Sequence, residues 1–277
     1  MKLATTFNNS NVLRKNVPLT DDELFRIAPS IFAPEAHESR SQKYVYIPTI
    51  EVLNGLKKEG FEPFMVAQSR SRIEGKSEFT KHMLRLRHKN TIESKEAYEI
   101  ILINSHDGTS SYQMLAGLFR FVCHNGMICG DNIQDIRIPH RGNITDNVID
   151  AAYEIVEDFD NVDESIEEMK STQLLLPEQV SFAKAALSLK YDELENAPIA
   201  PEQLLTARRW EDKFNDNNNT VWGSFNKIQE NLIKGGLRGK TANGNRTTTR
   251  ATKSIDNDVK LNKALWILAD EMAKLKK

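Results

Sequence analysis

Residues 104–130 read NSHDGTSSYQMLAGLFRFVCHNGMICG, and the fold turns on how this stretch is read. Asp107-Gly108 follows the apolar run 100–103 and precedes a second apolar run, which is the pattern of a turn between strands. From Ser110 onward Tyr112, Met114 and Ala116 fall on one parity, and Leu115, Gly117 and Phe119 fall on the other. Both parities are apolar, as in a central strand covered on both faces; a buried helix of similar length shares that composition. Asn125-Gly126 marks a second turn before Met127, Ile128 and Cys129. Two apolar runs joined by Asp-Gly, the second closed by Asn-Gly, describe the middle of a largely antiparallel sheet.

Upstream, residues 61–73 and 80–89 read as two strands joined by the loop 74–79, and residues 98–104 as a third. In the second of these Lys81, Met83, Arg85, Arg87 and Lys89 share one face, while His82, Leu84, Leu86 and His88 share the other. Gln68, Arg70 and Arg72 share a parity on the first. Pairing the two as a hairpin gathers these cations on one sheet face with no acid among them. Thr20, followed three residues later by Glu23, has the spacing of a capping box for a short helix that ends by Pro29. Residues 44–47 read as a short strand. Pro48 opens a helix through Glu59, with Ile50, Leu53 and Leu56 inward and Gly60 at its end. Residues 133–139 read as a last strand.

Composition changes after Gly142. Residues 143–170 are helical in period, with Val148, Ala152, Ile155, Val156 and Phe159 as the apolar stripe and Asp and Glu dense on the outer face. Further helices are expected from Pro177 towards Tyr191, over 203–214 and over 220–233. A closing helix begins near Ser254 and sets Leu261, Leu265, Leu268, Met272 and Leu275 at alternating spacings of four and three. Residues 231–254 lack any acid, carry Lys234, Arg238, Lys240, Arg246, Arg250 and Lys253, and are interrupted by glycines, so 234–254 is expected to be a flexible basic loop. The expected class is therefore α+β: an antiparallel sheet of four to five strands flanked by helices, followed by a helical C-terminal region. The expected organisation is an arm and short helix over 1–43, a sheet domain over 44–142 and a helical region over 143–277.

The chain of 277 residues has a formal net charge of -2, so a surface for nucleic acid must be local rather than global. No run of signal-peptide length opens the sequence and nowhere do about 18 apolar residues stand together, so a soluble cytoplasmic protein with no membrane partner is expected. In a reducing compartment the two cysteines, Cys123 and Cys129, are expected to remain thiols.

Ser105-His106-Asp107 contains the residue types of a hydrolase triad, but neighbours in an extended chain point to opposite sides and form no relay. A turn in which Asp107 bonds its own backbone is the better account. Cys123, His124 and Cys129, with His106 and His140, supply zinc-ligand types without the tight cysteine pair of structural sites. Residues 235–240 have the glycines and lysine of a phosphate-binding loop but neither the preceding strand nor the spacing. No catalytic residue, metal or cofactor is expected.

SHDGTSSYQ, FRFVCHNGMICG, the upstream TKHMLRLR and the downstream QENLIKGG together resemble a family of uncharacterised proteins from prophages and plasmids, along nearly the whole chain. That resemblance implies a mobile-element protein and carries no mechanism. The order of a helix, an antiparallel sheet with a basic face and then further helices is similar to that of phage single-strand annealing proteins. This second likeness implies a basic groove that holds phosphates while bases stay free to pair, and rings or filaments of subunits.

The residues themselves point the same way, because an overall acidic chain has segregated its cations into two places. Arg70, Arg72, Lys81, Arg85, Arg87 and Lys89 on the sheet, and Lys234, Arg238, Lys240, Arg246, Arg250 and Lys253 in the loop, are the expected contacts to single-stranded DNA. Thr247, Thr248 and Thr249 add hydroxyl donors. The first alternative is a protein that blocks a host defence or restriction system, with the acidic helix 146–168 as a decoy of DNA charge. The second is a metal-dependent nucleic-acid enzyme using Glu99, Asp107 and Asp131.

Overall fold

Strands form where apolar residues fill both parities between Gly and Asn turns. The computed structural model describes residues 12–40, 46–71, 73, 75–88, 96–120, 125–130, 136–137, 144–208 and 219–276. Its strands in chain order are β1 (Val12–Arg14), β2 (Phe61–Gln68), β3 (His82–His88), β4 (Glu96–Asn104), β5 (Gln113–Arg120), β6 (Asn125–Ile128), β7 (Ile136–Arg137), β8 (Arg238–Lys240) and β9 (Arg246–Thr248). The helices are α1 (Asp21–Ile27), α2 (Thr49–Lys58), α3 (Ile144–Glu157), α4 (Phe159–Ser171), α5 (Leu176–Ser188), α6 (Val221–Lys234) and α7 (Ile255–Lys274). The class is α+β, with an antiparallel sheet, flanking helices and a helical C-terminal region. No helix among the described residues is long and apolar enough to cross a membrane.

The chain divides into two units, Met1–Phe119 with Gln134–Glu157, and Arg120–Ile133 with Asp158–Lys277. In the first, strands run in the order β1-β2-β3-β4-β5, with β7 also pairing with β5. Antiparallel register sets Val66 opposite Leu84 and Leu84 opposite Leu102. The register of β2 shifts between Pro63 and Met65, where the proline supplies no N–H to the ladder. β5 is the covered central strand that its composition indicates: Met114, Leu115, Leu118 and Phe119 are all buried. Leu84, Leu86, Ile101 and Ile103 join them in the core. The Arg14 guanidinium on β1 lies 5.3 Å from the Phe119 ring on β5, so the sheet curls until its first and fifth strands meet.

Local signals set the helix ends. Thr20 closes its capping box with Glu23 at the start of α1. The helix opened by Pro48 buries Val52, Leu53 and Leu56 and ends before Gly60, whose φ of 92° suits a residue without a Cβ. Residues 46–47 are not a strand, and 44–45 lie outside the described residues. The single helix expected over 143–170 is two, α3 and α4, broken at Asp158. Val156 is exposed there, whereas Val148, Ala152 and Ile155 are buried.

In the second unit α6 is buried on nearly every side. Val221, Trp222, Phe225, Ile228 and Leu232 are covered, and so are Asn226, Gln229 and Asn231. Partners on other segments meet two of these amides: the Gln229 side chain donates to Asn262 Oδ1 on α7 at 2.7 Å, and Asn231 donates to the carbonyls of Leu204 and Thr206. Thr220 caps α6 and Ser254 caps α7. Residues 201–205 form a 3-10 turn, and most of the helix expected over 203–214 lies outside the described residues. The leucine stripe of α7 does not stay inward. Leu261 and Leu265 are buried, Leu268 is half-buried and Leu275 is 81% exposed, while Ala269 and Ala273 take over the buried side. A seven-residue repeat drifts about 20° per heptad around a straight helix, which carries the last leucine into solvent.

Candidate functional site

The first expected set of cations comes apart by location. Arg70 lies beyond the end of β2 and is exposed. Arg72 and Lys89 lie outside the described residues. Lys81, Arg85 and Arg87 do share a face with Met83, but that face is inside the curled sheet: Arg85 is 3% exposed and Arg87 is fully buried. An acid does stand among them, contrary to the sequence expectation. Arg85 pairs with Ile101 in register, which brings Glu99 of β4 to the same side. Glu99 Oε1 accepts from Arg87 Nε at 2.8 Å, and Glu99 Oε2 lies 3.1 Å from Arg85 Nε. The Arg87 guanidinium lies 3.9 Å from the ring centre of Phe119 and 4.5 Å from that of Phe64. Burial pulls the Arg87 pKa down, and the Glu99 carboxylate opposes that shift. Arg85 and Arg87 are thus pieces of a buried ion-pair network, out of reach of a phosphate chain.

The second set forms a built surface. The expected flexible loop is a hairpin in which β8 and β9 pair antiparallel, Arg238 opposite Thr248, Gly239 opposite Thr247 and Lys240 opposite Arg246. Alternation turns Arg238, Lys240, Arg246 and Thr248 to one side, where all four are exposed. Gly239 occupies the other side, and a Cβ built on it would lie 1.8 Å from the Pro198 carbonyl oxygen. Only glycine allows that approach. Lys240 N–H donates to the same carbonyl at 2.8 Å, and the Gln203 amide donates to Arg238 O at 3.0 Å. At the base of the hairpin, Lys190 Nζ donates to Leu232 O at 2.5 Å and to Arg250 O at 2.7 Å, while Arg208 bonds Asn231 Oδ1 and Gly235 O. Burial lowers the Lys190 pKa.

Like charges directly across a strand pair repel, so the Lys240–Arg246 pairing is held by these anchors and not by its own side chains. Among the described residues no carboxylate forms a salt bridge with Arg238, Lys240 or Arg246. Arg250 and Lys253 are exposed just beyond β9. Lys234 differs from them. It ends α6 and pairs with Glu230 at 2.7 Å, one turn back.

A third cluster was legible only in part. Asp107 does bond its own turn, accepting from Thr109 N–H at 3.0 Å and from its hydroxyl at 2.6 Å. His106, however, enters a buried polar layer that no spacing in the sequence announces. Ser30 Oγ lies 2.9 Å from His82 Nδ1, and Thr49 Oγ1 lies 2.9 Å from His82 Nε2 and 3.4 Å from His106 Nε2. Gln68 accepts from Ser30, and Asn104 donates to Thr49. Burial, with His106 nearby, pushes the His82 pKa down to about 3; burial also takes His106 down to about 4. Both rings are neutral at pH 7, and the layer is closed to solvent. Cys129 is buried and forms no disulfide, and Cys123, His124, Asp131 and His140 lie outside the described residues. Among the described residues no three His, Cys, Asp or Glu side chains gather as a metal site.

An α+β chain with this architecture belongs to the family described as Domain of unknown function (DUF932), whose family model matches residues 36–266. Within it, the chain is 50% identical over 271 residues to UPF0380 protein YafZ of Escherichia coli (strain K12), covering 98% of this chain and 97% of that protein. It is 49% identical over 271 residues, with the same coverage, to UPF0380 protein YfjQ of the same organism. No solved structure matches the chain.

Proposed function

We propose that the chain is a nucleic-acid-binding protein of a mobile genetic element, acting in the cytoplasm on single-stranded DNA in phage-type recombination. One observation carries this reading: the anchored hairpin presents Arg238, Lys240 and Arg246 on one exposed face, with no acidic partner among the described residues. Arg238 and Lys240, two residues apart on a strand, are separated by about 7 Å. A phosphate chain laid along that face meets cations in succession, and Thr248 offers a hydroxyl beside them. Residues 236–250 contain no aromatic side chain, so bases are not stacked on the hairpin and remain free to pair. Binding of this kind reads the backbone and is independent of sequence.

The test is fluorescence anisotropy with a short single-stranded oligonucleotide at several salt concentrations. Arg238→Ala/Lys240→Ala/Arg246→Ala protein should bind more weakly at low salt, with its salt slope reduced by about 2, since each single-strand phosphate contact contributes about 0.7. Its melting temperature should be unchanged. An affinity and slope that ignore the triple substitution overturn the reading. They favour instead a blocker of a host defence system, for which α4 exposes Asp160, Asp163, Glu164 and Glu167 along one side.

A further inference from the structure

The β8–β9 ribbon has two edges, and they are treated differently. Thr249 N–H donates to Leu237 O at 2.9 Å and Thr241 N–H to Asn245 O at 2.8 Å, which fixes the residues whose backbones face each other across the ladder. The residues between them alternate, so Arg238, Lys240, Arg246 and Thr248 turn their N–H and C=O groups away from the partner strand. On β8 such groups are met from outside the ribbon, the Lys240 N–H by Pro198 O and the Arg238 carbonyl by the Gln203 amide. On β9, no group among the described residues bonds the backbone of Arg246 or Thr248. The open run ends at Arg250, whose carbonyl accepts from Lys190.

An edge that offers N–H and C=O groups in alternation is completed by another strand. A phosphate chain supplies acceptors only and would leave the carbonyls to water. Charge then selects which strand. Arg246 is exposed on this edge, on the same side of the ribbon as Arg238 and Lys240, and among the described residues no carboxylate pairs with any of the three. A second copy of β9 laid on the edge would double that positive charge with no acid between, and like charges across strands repel. The cations thus blunt the edge against its own kind while leaving it matched to an acidic strand. We propose that β9 receives an extended acidic peptide of a partner protein, which adds a third strand to the ribbon with carboxylates at alternate positions on the Arg246 side. Its intervening side chains lie on the side of Thr247. The inference uses the backbone edge of the hairpin and does not depend on the hairpin binding DNA.

The full chain is titrated into a labelled peptide of alternating glutamate and threonine, and into the same peptide with lysine in place of glutamate. The glutamate peptide should bind and the lysine peptide should not. Thr248→Pro removes one outward N–H while keeping every cation, so it should raise the dissociation constant of the glutamate peptide at least tenfold. Its affinity for a single-stranded oligonucleotide should match that of the unmodified chain, which separates loss of the edge from loss of charge. Hydrogen exchange reads the same contact without a substitution: the glutamate peptide should slow exchange at the Arg246 and Thr248 amides. Failure of the glutamate peptide to bind overturns the proposal. So does binding that Thr248→Pro leaves intact, or that leaves those two amides unprotected, since either marks contact through charge alone. Slowed exchange at both amides without peptide, growing with protein concentration, would place a second copy on the edge and overturns it as well.

Discussion

The two basic regions are written alike and built differently. Just before and along β3 the cations alternate as Lys81, Arg85 and Arg87; on β8 they alternate as Arg238 and Lys240. In the first, the shared face is the inside of a curled sheet, and a carboxylate from β4 holds two guanidinium groups. In the second, the opposite side of the ribbon is a glycine pressed on the Pro198 carbonyl, and the cations face water. Period-two alternation says which side chains share a side. What lies on that side is a property of the neighbouring elements.

The strongest way to break the comparison is to remove the charge that separates the two regions. Glu99→Gln leaves Arg85 and Arg87 buried without their carboxylate and should cost about 3–5 kcal/mol of unfolding free energy, measured by urea titration. A loss below about 1 kcal/mol would mean that the arginines reach solvent, as the hairpin cations do.

Acid should act on the same unit through His82 and His106. Their folded pKa values lie below the ordinary 6.5, so the unfolded chain binds protons there that the folded chain does not. Stability from these rings is therefore complete above pH 6.5, declines as pH falls, and is fully lost only below the folded pKa of about 3 at His82. The total is on the order of a few kcal/mol. Denaturant titrations at pH 7 and pH 4.5 should show a smaller pH-dependent loss in His106→Gln protein than in the unmodified chain; equal losses would place these rings in contact with water.

A smaller effect probes what anchors the hairpin. Gly239→Ala sets a methyl against the Pro198 oxygen, so β8 must lift away, at about 1–3 kcal/mol for overpacking. Hydrogen exchange at the Lys240 amide, which bonds Pro198 O, should accelerate. Unchanged protection would show that the hairpin is held by its flanks alone. The smallest effect is expected for Arg246→Ala. Exposed and facing Lys240, its loss should change stability by no more than about 0.5 kcal/mol, measured by thermal melting. A large loss there would make the hairpin a structural charge cluster like that around Glu99.

Much of the fold was legible because it is written in short-range patterns. Thr20 with Glu23, Pro48 with Gly60, and the doubly apolar run 112–119 each specify a local geometry through caps, fixed backbone angles or strand parity. The glycines of 235–244 were misleading, since glycine marks both a flexible chain and a close backbone approach. Gly239 serves the second purpose, against a proline some forty residues earlier in the chain. The Ser30–His82–Thr49–His106 layer left no signal for a comparable reason. Its members come from two helical turns, a strand and the loop after β4, and each is unremarkable beside its own neighbours in sequence.

The sequence by itself determined the α+β class, the capped start of α1, the doubly apolar strand β5 and the Asp107 turn. All of these follow from interactions within a few residues, whose geometry the chain carries wherever it goes. Tertiary structure decided that Glu99 pairs with Arg85 and Arg87, that Pro198 and Lys190 hold the other cations out, and that Leu275 leaves the core. Those outcomes depend on which surfaces meet, and burial changes a charge from a solvated group into one that must find a partner.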